Sequence, residues 1–362
     1  MRTASESQRL EGTAPEASLP LVSIVVPVFN GERYIRESLD SILSQTYPNI
    51  ELLVLDDGST DATPQIVASY GDAVRYHRQP ATRGIYGNAN DGIAQASGDF
   101  VCVYHADDVY LPTIVEREAA FLTARPDVGA VFAADIFVDE RGREFGRLVL
   151  PAEVRGSRPL AYSDVLNVLL KYKNTFLRCP SAMVRMAVHR DVGVYRDEEF
   201  KNTSDLEMWL RISRRHQIAV LDEPLYLYRR GHGSSSERYH HLRTEPGRLF
   251  RIMDLELAAG GADVATPQAL EAYEAHRAED LLMIAISSYV KSSCQAARAA
   301  LRAVDARAIV KSGQVQRLRL LALFCLLWLL VRVPRVGLIA RLFQRRWHGG
   351  GIVRVPKPAG GA

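Results

Sequence analysis

Residues 21–61 read LVSIVVPVFNGERYIRESLDSILSQTYPNIELLVLDDGSTD, two apolar runs with an amphipathic segment between them. Leu21–Phe29 is a continuous run rich in β-branched residues, and Ile50–Leu55 has the same character; such runs are typical of strands buried on both faces of a parallel sheet. Between the runs, apolar residues recur at the spacing of an amphipathic helix, namely Ile35, Leu39, Ile42 and Leu43. The stretch therefore predicts a strand, a helix and a second, parallel strand.

The alternation of strands and helices continues to about residue 125. The elements predicted there are a helix over Asp61–Tyr70 capped by Ser59 and Thr60, a strand over Ala73–His77, a helix over Gly87–Ala96, a strand over Asp99–Tyr104 and a helix with Pro112 in its first turn. Strands that alternate with helices predict an α/β fold with a doubly wound, mostly parallel sheet and helices on both faces.

After residue 125 the pattern is less regular. The elements predicted there are strands over Val128–Phe132 and Ile136–Val138, a hairpin turn at Arg141-Gly142, a helix over Asp205–Ser213 and a helical stretch from Thr266-Pro267 to about Val310. We expect the 362 residues to divide into a disordered polar leader (1–19), an α/β unit (20–236), a helical extension (237–312) and a basic, apolar tail (313–362).

The charge is divided unevenly between the body and the tail. Residues 1–305 carry 34 basic and 42 acidic residues, a net charge of −8, whereas the 57 residues after Asp305 carry 11 basic and no acidic residues. An acidic body argues against a nucleic-acid partner, and a basic end favours an anionic surface.

The tail also contains Leu320–Val331, an apolar run of 12 residues. It is shorter than the roughly 20 residues that span a bilayer. Together with GLIARLFQRRW at 337–347, it favours a helix in the membrane interface. The alternative is a core helix that docks on the α/β unit.

Composition and motifs exclude several classes of protein. The chain is 47% hydrophobic and 24% charged, as in globular proteins, and its four cysteines show no CxxC spacing, which argues against a disulfide framework or a Cys-rich zinc site. No GxGxxG follows the first strand and no GxxxxGK[ST] occurs, so a dinucleotide-dependent dehydrogenase and a P-loop NTPase are both disfavoured.

Carboxylates follow two of the predicted strands. The sequence DDGSTD occupies 56–61 and HADD occupies 105–108. Ligands of open α/β sheets bind at the carboxyl ends of the strands, and carboxylate oxygens suit hard divalent cations. The alternatives are an Asx turn with helix caps for the first motif and, for Asp107 and Asp108, interaction with the dipole of the next helix.

The order and spacing of three pieces resemble the nucleotide-sugar-binding half of family 2 glycosyltransferases. These pieces are residues 23–61, GDFVCVYHADD at 98–108 and the following Leu111-Pro112. The resemblance implies a GT-A fold and an inverting, nucleotide-sugar-dependent transferase, with a nucleotide-sugar half at 20–125 and an acceptor half at 126–236.

The resemblance also implies roles for individual residues. Asp56 would accept a hydrogen bond from the donor base, Asp107 would hold the ribose, and Asp108 would hold a divalent metal, Mn²⁺ or Mg²⁺. Pro27 and Phe29 would line the nucleotide pocket.

Two positions depart from the family pattern. Where the family commonly has N-x-G-x-x-x-A-R-N, residues 82–90 read TRGIYGNAN, so that Ala89 replaces the usual Arg. Arg83 is then either the phosphate cation or a solvated surface residue. His232 lies about one residue from the family's usual position for a histidine near the pyrophosphate, and it is either a metal or phosphate contact or a surface-loop residue.

The stretch NTSDLEMWLR at 202–211 resembles the family's second acidic motif. An inverting transfer needs a carboxylate that takes the proton from the acceptor hydroxyl, and Asp205 is the expected base. The alternative for Asp205 is an acid stabilised at a helix N-terminus. Trp209 and Arg211 are expected to be packing residues, and Glu207 to face another side of the helix.

These observations favour a metal-dependent glycosyltransferase that moves a sugar from a nucleoside-diphosphate sugar to a glycan or lipid-linked acceptor, in polysaccharide or lipid-linked glycan synthesis. The expected location is cytoplasmic, peripheral to the inner face of the cell membrane through the tail. The alternatives are a non-catalytic, membrane-associated nucleotide-sugar-binding protein and a nucleotidyltransferase of similar fold. The latter would need a basic Gly-rich loop where this chain has FNGERY.

Overall fold

The computed structural model describes residues 19–231, 243–311 and 317–332. One sheet organises the first of these ranges. Its strands are β1 (Val22–Val28), β2 (Ile50–Asp56), β3 (Arg75–Arg78), β4 (Phe100–Val103), β5 (Val109–Tyr110), β6 (Val128–Val138), β7 (Glu144–Arg147), β8 (Pro159–Leu160), β9 (Met183–Arg185) and β10 (Gln217–Arg229). The predicted leader, apart from Leu19, lies outside the described residues.

The helices occur in two groups. Those that accompany the sheet are α1 (Ile35–Leu43), α2 (Thr63–Ala68), α3 (Ile85–Gln95), α4 (Ile114–Ala124), α5 (Tyr162–Tyr172), α6 (Met186–Val192), α7 (Asp197–Phe200) and α8 (Ser204–Ser213). Those that follow it are α9 (Arg248–Ala258), α10 (Pro267–Val290), α11 (Cys294–Ala303), α12 (Ala306–Lys311) and α13 (Arg317–Leu330).

The sheet is parallel in its first half and mixed in its second. The strand order is β3-β2-β1-β4-β9-β6-β10-β5, with β7 paired to β6 and β8 to β10. Strands β1 to β4 pair in parallel, as predicted. The second half differs because the short strand β9 lies antiparallel between β4 and β6, while β6 and β10 pair in parallel.

Two local predictions differ from the structure. The predicted strands Val128–Phe132 and Ile136–Val138 are one strand, β6, which is buried along its whole length. Helix α2 begins at Thr63, so Ser59 and Thr60 do not cap it. The predicted hairpin turn is confirmed: Gly142 has a φ of +77° and its N–H donates to the carbonyl of Asp139 at 3.0 Å, which turns β6 into β7.

The core lies on both faces of the sheet. On one face, Ile24 and Val26 of β1 share a cluster with Ile35 and Leu39 of α1. On the other, Val25 shares a cluster with Ala89 of α3. Burial of alternate residues of one strand against helices on opposite faces is the doubly wound arrangement.

Helix α3 lies unusually close to the sheet. A Cβ atom on Gly92 would stand 2.3 Å from Val25 Cγ1 and 2.8 Å from Leu55 Cδ2, well inside van der Waals contact. Only glycine permits this approach without displacing those side chains. The approach sets the position of the N-terminal end of α3, where several polar groups converge.

The C-terminal helices form a second core that α10 joins to the first. Thr266 caps α10, as predicted, and its hydroxyl accepts a hydrogen bond from Ala269 N. Ala269 and Tyr273, near the start of the 24-residue helix, belong to the core beneath the sheet. Leu282 and Ile286, near its end, pack in a separate cluster with α11 and α13.

Helix α13 contains most of the apolar run of the tail. Its two faces differ in their exposure to solvent. Leu320, Leu327 and Leu330 are buried in the second core, so this face packs as in a core helix, although against the C-terminal helices and not against the α/β unit. Leu318 and Leu329 on the opposite face are exposed. Of the helices in the described ranges, none combines the length and apolarity needed to cross a membrane, and residues 337–347 lie outside those ranges.

We expect Leu327→Asp to destabilise the C-terminal helices strongly, because Leu327 is 0% exposed. Loss of a buried leucine together with burial of a charge lowers the free energy of unfolding by at least about 3 kcal/mol. The matched change Leu329→Asp, at a residue that is 64% exposed, is expected to alter it by less than about 0.5 kcal/mol. Thermal unfolding followed by circular dichroism compares the two variants, and equal losses would contradict this packing.

Candidate active site

The first acidic motif closes a set of loops at the carboxyl ends of β1 and β2. Asp56 is buried; its Oδ1 accepts from the Ser59 N–H at 2.7 Å and its Oδ2 from the Tyr76 hydroxyl at 2.6 Å. Burial, together with the Asp56 carboxylate, raises the pKa of Tyr76. Each oxygen of Asp56 retains a second lone pair, so the predicted role of accepting a hydrogen bond from a donor base stays a prediction.

Asp57 and Asn30 connect this motif to the loop before α3 and to the loop after β1. The Asp57 carboxylate accepts hydrogen bonds from the backbone N–H groups of Arg83 at 2.6 Å and Gly84 at 3.0 Å, which fixes the loop before α3. Asn30, in the left-handed region with a φ of +51°, accepts from the Thr60 N–H at 2.8 Å. Asp57 therefore holds a neighbouring loop in place, a structural role as in the Asx-turn alternative, although not the helix cap that this alternative included.

The two residues expected to line the nucleotide pocket differ in exposure. Pro27 is buried within β1, where it pairs with Leu55 of β2. Phe29, just beyond the end of β1, is 54% exposed. Of the two, Phe29 presents the larger surface to a ligand.

The second acidic motif forms a cluster at the end of β4. His105, Asp107 and Asp108 each offer a ligand atom, and these atoms all lie within 4.8 Å of one another. Asp108 is buried; its Oδ1 accepts from the Arg229 N–H at 2.8 Å, while its Oδ2 has no hydrogen-bond partner within the described ranges and lies 4.0 Å from His105 Nδ1. Burial and the nearby Asp107 raise the pKa of Asp108, and burial lowers the pKa of His105.

This cluster has the chemistry of a cation site. A buried carboxylate oxygen without a partner is destabilising, and a cation would supply the missing interaction. Two carboxylates and an imidazole are a donor set that accommodates Mn²⁺ or Mg²⁺. Asp107 and Asp108 therefore lie where the sequence predicted them, and His105 joins them as a third ligand atom.

Aromatic rings support the cluster from below. Tyr104, Tyr110 and Tyr226 stack in succession, with ring centroids 3.8 Å and 6.1 Å apart. The Tyr110 hydroxyl accepts from the His105 N–H at 2.7 Å. The stack thereby helps to fix the backbone of the loop that carries His105, Asp107 and Asp108.

Arg229, at the end of β10, holds the same loop from the side. Its Nε donates to the Asp107 carbonyl at 2.9 Å, its Nη2 lies 2.7 Å from Glu37 of α1, and its guanidinium lies 4.5 Å from the centre of the Tyr34 ring. No pattern in the sequence distinguishes Arg229 from Arg230 beside it, so its role was not predicted.

The second acidic stretch places Asp205 in the first turn of α8, in a pocket of aromatic side chains. Burial raises the pKa of Asp205 to about 6, and hydrogen bonds from Tyr86 and the Leu206 N–H act in the opposite direction. The rings of Tyr86 and Tyr195 lie 4.8 Å apart, and the Tyr195 hydroxyl lies 3.5 Å from Cys179 Sγ. A carboxylate of this pKa is ionised at neutral pH and basic enough to accept a proton.

The other residues of this stretch are structural, as predicted. Glu207 is buried, and its two carboxylate oxygens lie 2.9 Å from Nε and Nη2 of Arg211. Trp209 is fully buried and meets the Phe132 ring edge-on at 4.9 Å. Asp205 and Glu207 thus have different surroundings on two sides of one helix, since Glu207 is paired with Arg211 and Asp205 accepts a hydrogen bond from Tyr86.

The predicted phosphate cation is already paired. Arg83 Nη2 lies 3.2 Å from Asp91 Oδ1, and the Arg83 side chain is about half exposed. Ala89, where the family commonly has Arg, is 0% exposed in the core between α3 and the sheet. His232 lies outside the described residues.

The sequence analysis missed a buried ion pair near the acidic cluster. Arg178 Nε lies 2.7 Å from Oδ2 of Asp135, which is fully buried in β6. Burial raises the pKa of Asp135, and Arg178 partly opposes that change. An aspartate in the middle of an apolar run is a signal that could have indicated this pair.

Comparisons with known proteins agree with this architecture. The family model "Glycosyl transferase family 2" matches residues 23–193. An uncharacterized glycosyltransferase of Rickettsia felis is 31% identical over 223 residues, covering 60% of this chain and 35% of the relative. The putative glycosyltransferase EpsE of Bacillus subtilis is 29% identical over 197 residues, covering 53% of this chain and 66% of the relative. The matched region thus spans only about a third of the first relative's length.

Two solved structures share the fold. Residues 1–349 of S. aureus TarS, in complex with UDP-GlcNAc, superpose with a TM-score of 0.57 at 20% identity, over 92% of this chain and 93% of that chain. The mannosyltransferase PcManGT of Pyrobaculum calidifontis, in complex with GDP-Man and Mn²⁺, gives a TM-score of 0.52 at 20% identity, over 92% and 89%. The sheet is therefore of the GT-A type. Residues 23–193, a little under half of the 362 residues, match the model of glycosyl transferase family 2.

Proposed function

We propose that the protein is a metal-dependent, inverting glycosyltransferase that moves a sugar from a nucleoside-diphosphate sugar to an acceptor hydroxyl. The observation that carries this proposal is the cluster of His105, Asp107 and Asp108, whose ligand atoms lie within 4.8 Å of one another and in which the buried Oδ2 of Asp108 has no hydrogen-bond partner among the described residues. Asp205, with a pKa of about 6, offers a second carboxylate that can accept a proton. A cation site and a base are what a displacement at an anomeric carbon requires.

In the proposed reaction, the two centres have separate tasks. Asp107, Asp108 and His105 would hold a divalent cation, which supplies positive charge for the diphosphate leaving group. Asp205 takes the proton from the acceptor hydroxyl as that oxygen attacks the anomeric carbon from the face opposite the diphosphate. The half-buried Asp205 carboxylate is partly shielded from water, which raises its basicity, whereas the hydrogen bond from Tyr86 acts in the opposite direction.

The ligands of the solved neighbours support the donor class. TarS was solved with UDP-GlcNAc, and PcManGT with GDP-Man and Mn²⁺. Both ligands are nucleoside-diphosphate sugars, and their difference leaves the choice of sugar open. The unpartnered Oδ2 of Asp108 supports the metal part of the proposal in this chain.

We further propose that the acceptor is a glycan or a lipid-linked glycan at the inner face of the membrane, where the basic tail would hold the enzyme. The support is the separation of charge between residues 1–305, with a net charge of −8, and the residues after Asp305, with a net charge of +11. The alternative of a non-catalytic nucleotide-sugar-binding protein is disfavoured by Asp205, whose raised pKa serves no purpose in binding alone. A nucleotidyltransferase is disfavoured by Asn30, which closes a loop on Thr60 where a basic phosphate-binding loop would be needed.

Asp205→Asn is expected to lower kcat by about 10²–10⁴-fold and to leave the KM for the donor nearly unchanged, because amide nitrogen and oxygen cannot accept the proton. The control is Glu207→Gln, which weakens the contact with Arg211 and is expected to lower thermal stability more than kcat. Steady-state kinetics on both purified variants make the comparison. A small loss of kcat in Asp205→Asn together with a large loss in Glu207→Gln would contradict the assignment of Asp205 as the base.

The pH dependence gives an independent test of the base. Because the pKa of Asp205 is about 6 in the folded protein, kcat/KM is expected to fall about tenfold per pH unit below pH 6 and to level off above pH 7. A carboxyl whose pKa is raised by folding binds protons more readily in the folded state. Its contribution to the free energy of unfolding therefore falls as the pH rises from about 4 to 6. Asp205→Asn should therefore match or exceed the wild-type melting temperature at pH 7.5, and a clear loss there would contradict the buried-base assignment.

Asp108→Asn is expected to weaken Mn²⁺ binding by more than about tenfold and to abolish metal-dependent donor binding, because it removes a charged ligand from the cluster. The matched control is Asp139→Asn, which changes a partly exposed carboxylate in the hairpin that is paired with Arg143. Calorimetric titration with Mn²⁺, followed by a thermal-shift screen of nucleotide sugars, measures both steps. Undiminished transfer in the presence of EDTA would contradict the metal assignment.

A further inference from the structure

An exposed apolar stripe runs along α13. The residues at positions 318, 322, 325, 326 and 329 are exposed, and at 100° per residue they fall within about 100° of the helix circumference. Leu318 is 74% exposed, Leu326 46% and Leu329 64%. The opposite face is buried in the second core, so the helix is already anchored without this stripe. A row of exposed leucines on an anchored helix indicates an interaction surface.

A cation-lined cavity lies beside the stripe. Arg298 and Arg302 of α11, Trp328 of α13 and Arg332 line it together with Leu301 and Val331, and its volume is about 290 Å³. Arg298 Nε donates to the Val331 carbonyl at 2.8 Å, and the Arg332 guanidinium lies 3.6 Å from the centre of the Trp328 ring. The lining contains no carboxylate, and in the described part of the chain none of these three arginines forms an ion pair.

We propose that the stripe and the cavity together dock on an anionic phospholipid surface, with the leucines entering the acyl boundary and the cavity taking a headgroup phosphate. The proposal deepens the membrane location proposed above and rests on it. Arginines that converge without a carboxylate partner present a fork of donors suited to phosphate oxygens. Leucines on the face of a helix that lies in the interface bury apolar area in the same contact.

Charge selects a lipid surface over a second copy of the chain. A symmetric contact through this stripe would bury leucines against leucines and offer no anionic partner to the arginines of either copy. All charged residues after Asp305 are basic, so the charge of this part of the sequence adds attraction toward an anionic bilayer.

The test is co-sedimentation of the full chain with vesicles of phosphatidylcholine alone and of phosphatidylcholine with about one third phosphatidylglycerol. We expect binding only to the anionic vesicles. Arg302→Gln/Arg332→Gln should weaken binding about thirtyfold, from about 1 kcal/mol per cation, and Leu326→Asp/Leu329→Asp by at least about tenfold. The variants change exposed side chains, and circular dichroism verifies that they fold.

Matched controls alter the same residue types elsewhere. Leu255→Asp changes a leucine of α9 that is 47% exposed, and Arg147→Gln/Arg158→Gln removes two cations of the α/β unit; both are expected to bind within about twofold of the wild type. Binding of both test variants at wild-type strength, or no vesicle binding by the wild type, would overturn the proposal. It would also be overturned if the wild type dimerises without vesicles and Leu326→Asp/Leu329→Asp is monomeric, because a second copy then covers the stripe.

The vesicle-binding test and a test of the proposed transferase activity can fail independently of each other. Hydrolysis of a nucleotide sugar in solution depends on Asp108 and Asp205, so Leu326→Asp/Leu329→Asp should retain it. Intact vesicle binding without any donor turnover would contradict the proposed transfer and leave the docking surface standing, whereas the reverse result would contradict the docking surface alone.

Discussion

The hydrogen bond from the Arg229 N–H to the buried carboxylate of Asp108 is the contact on which the arrangement of the site depends. It joins the last strand of the sheet to the loop after β4, and these two segments are more than a hundred residues apart in the chain. The Arg229 side chain extends the connection to α1 through Glu37. Without this bond, both oxygens of Asp108 would lack partners in a site away from water, a cost of several kcal/mol that the fold would have to absorb. A cation would complete the remaining half of the carboxylate's interactions, which makes assembly of the sheet and formation of the metal site parts of one process.

The two aspartates to which the proposed reaction gives separate tasks lie in different environments. Asp108 is buried next to another carboxylate, and both burial and that carboxylate raise its pKa. Asp205 is surrounded by tyrosine rings rather than by charges, so its pKa rises only to about 6, within reach of neutral pH. A ligand for a cation must be negatively charged when the cation is present, whereas a base must exchange a proton during each turnover. The structure supplies a different neighbourhood for each task.

The sequence predicted the first half of the fold well because its signals are local. The β1–α1–β2 unit follows from two apolar runs and one helical stripe, and both acidic motifs lie at strand ends, where such folds bind ligands. The second half was less predictable because its signals are not local. Strand β9 has three residues, too few for a pattern. Asp135 is tolerated in β6 because of Arg178, a partner far along the chain. The nearly uniform apolar composition of α13 gives no period from which the buried and exposed faces could be assigned.

The long helix α10 has a geometric consequence for the choice of acceptor. Its first turns belong to the core of the catalytic unit and its last turns to the core that carries α13, so the helix acts as a spacer between the two. Twenty-four residues at 1.5 Å per residue give a spacer of about 36 Å. With α13 seated on a bilayer, the height of the catalytic centre above the lipid headgroups would be set by this length. Acceptors would then be sorted by the distance of their free hydroxyl from the membrane, so that one helix would act as a ruler for glycan length.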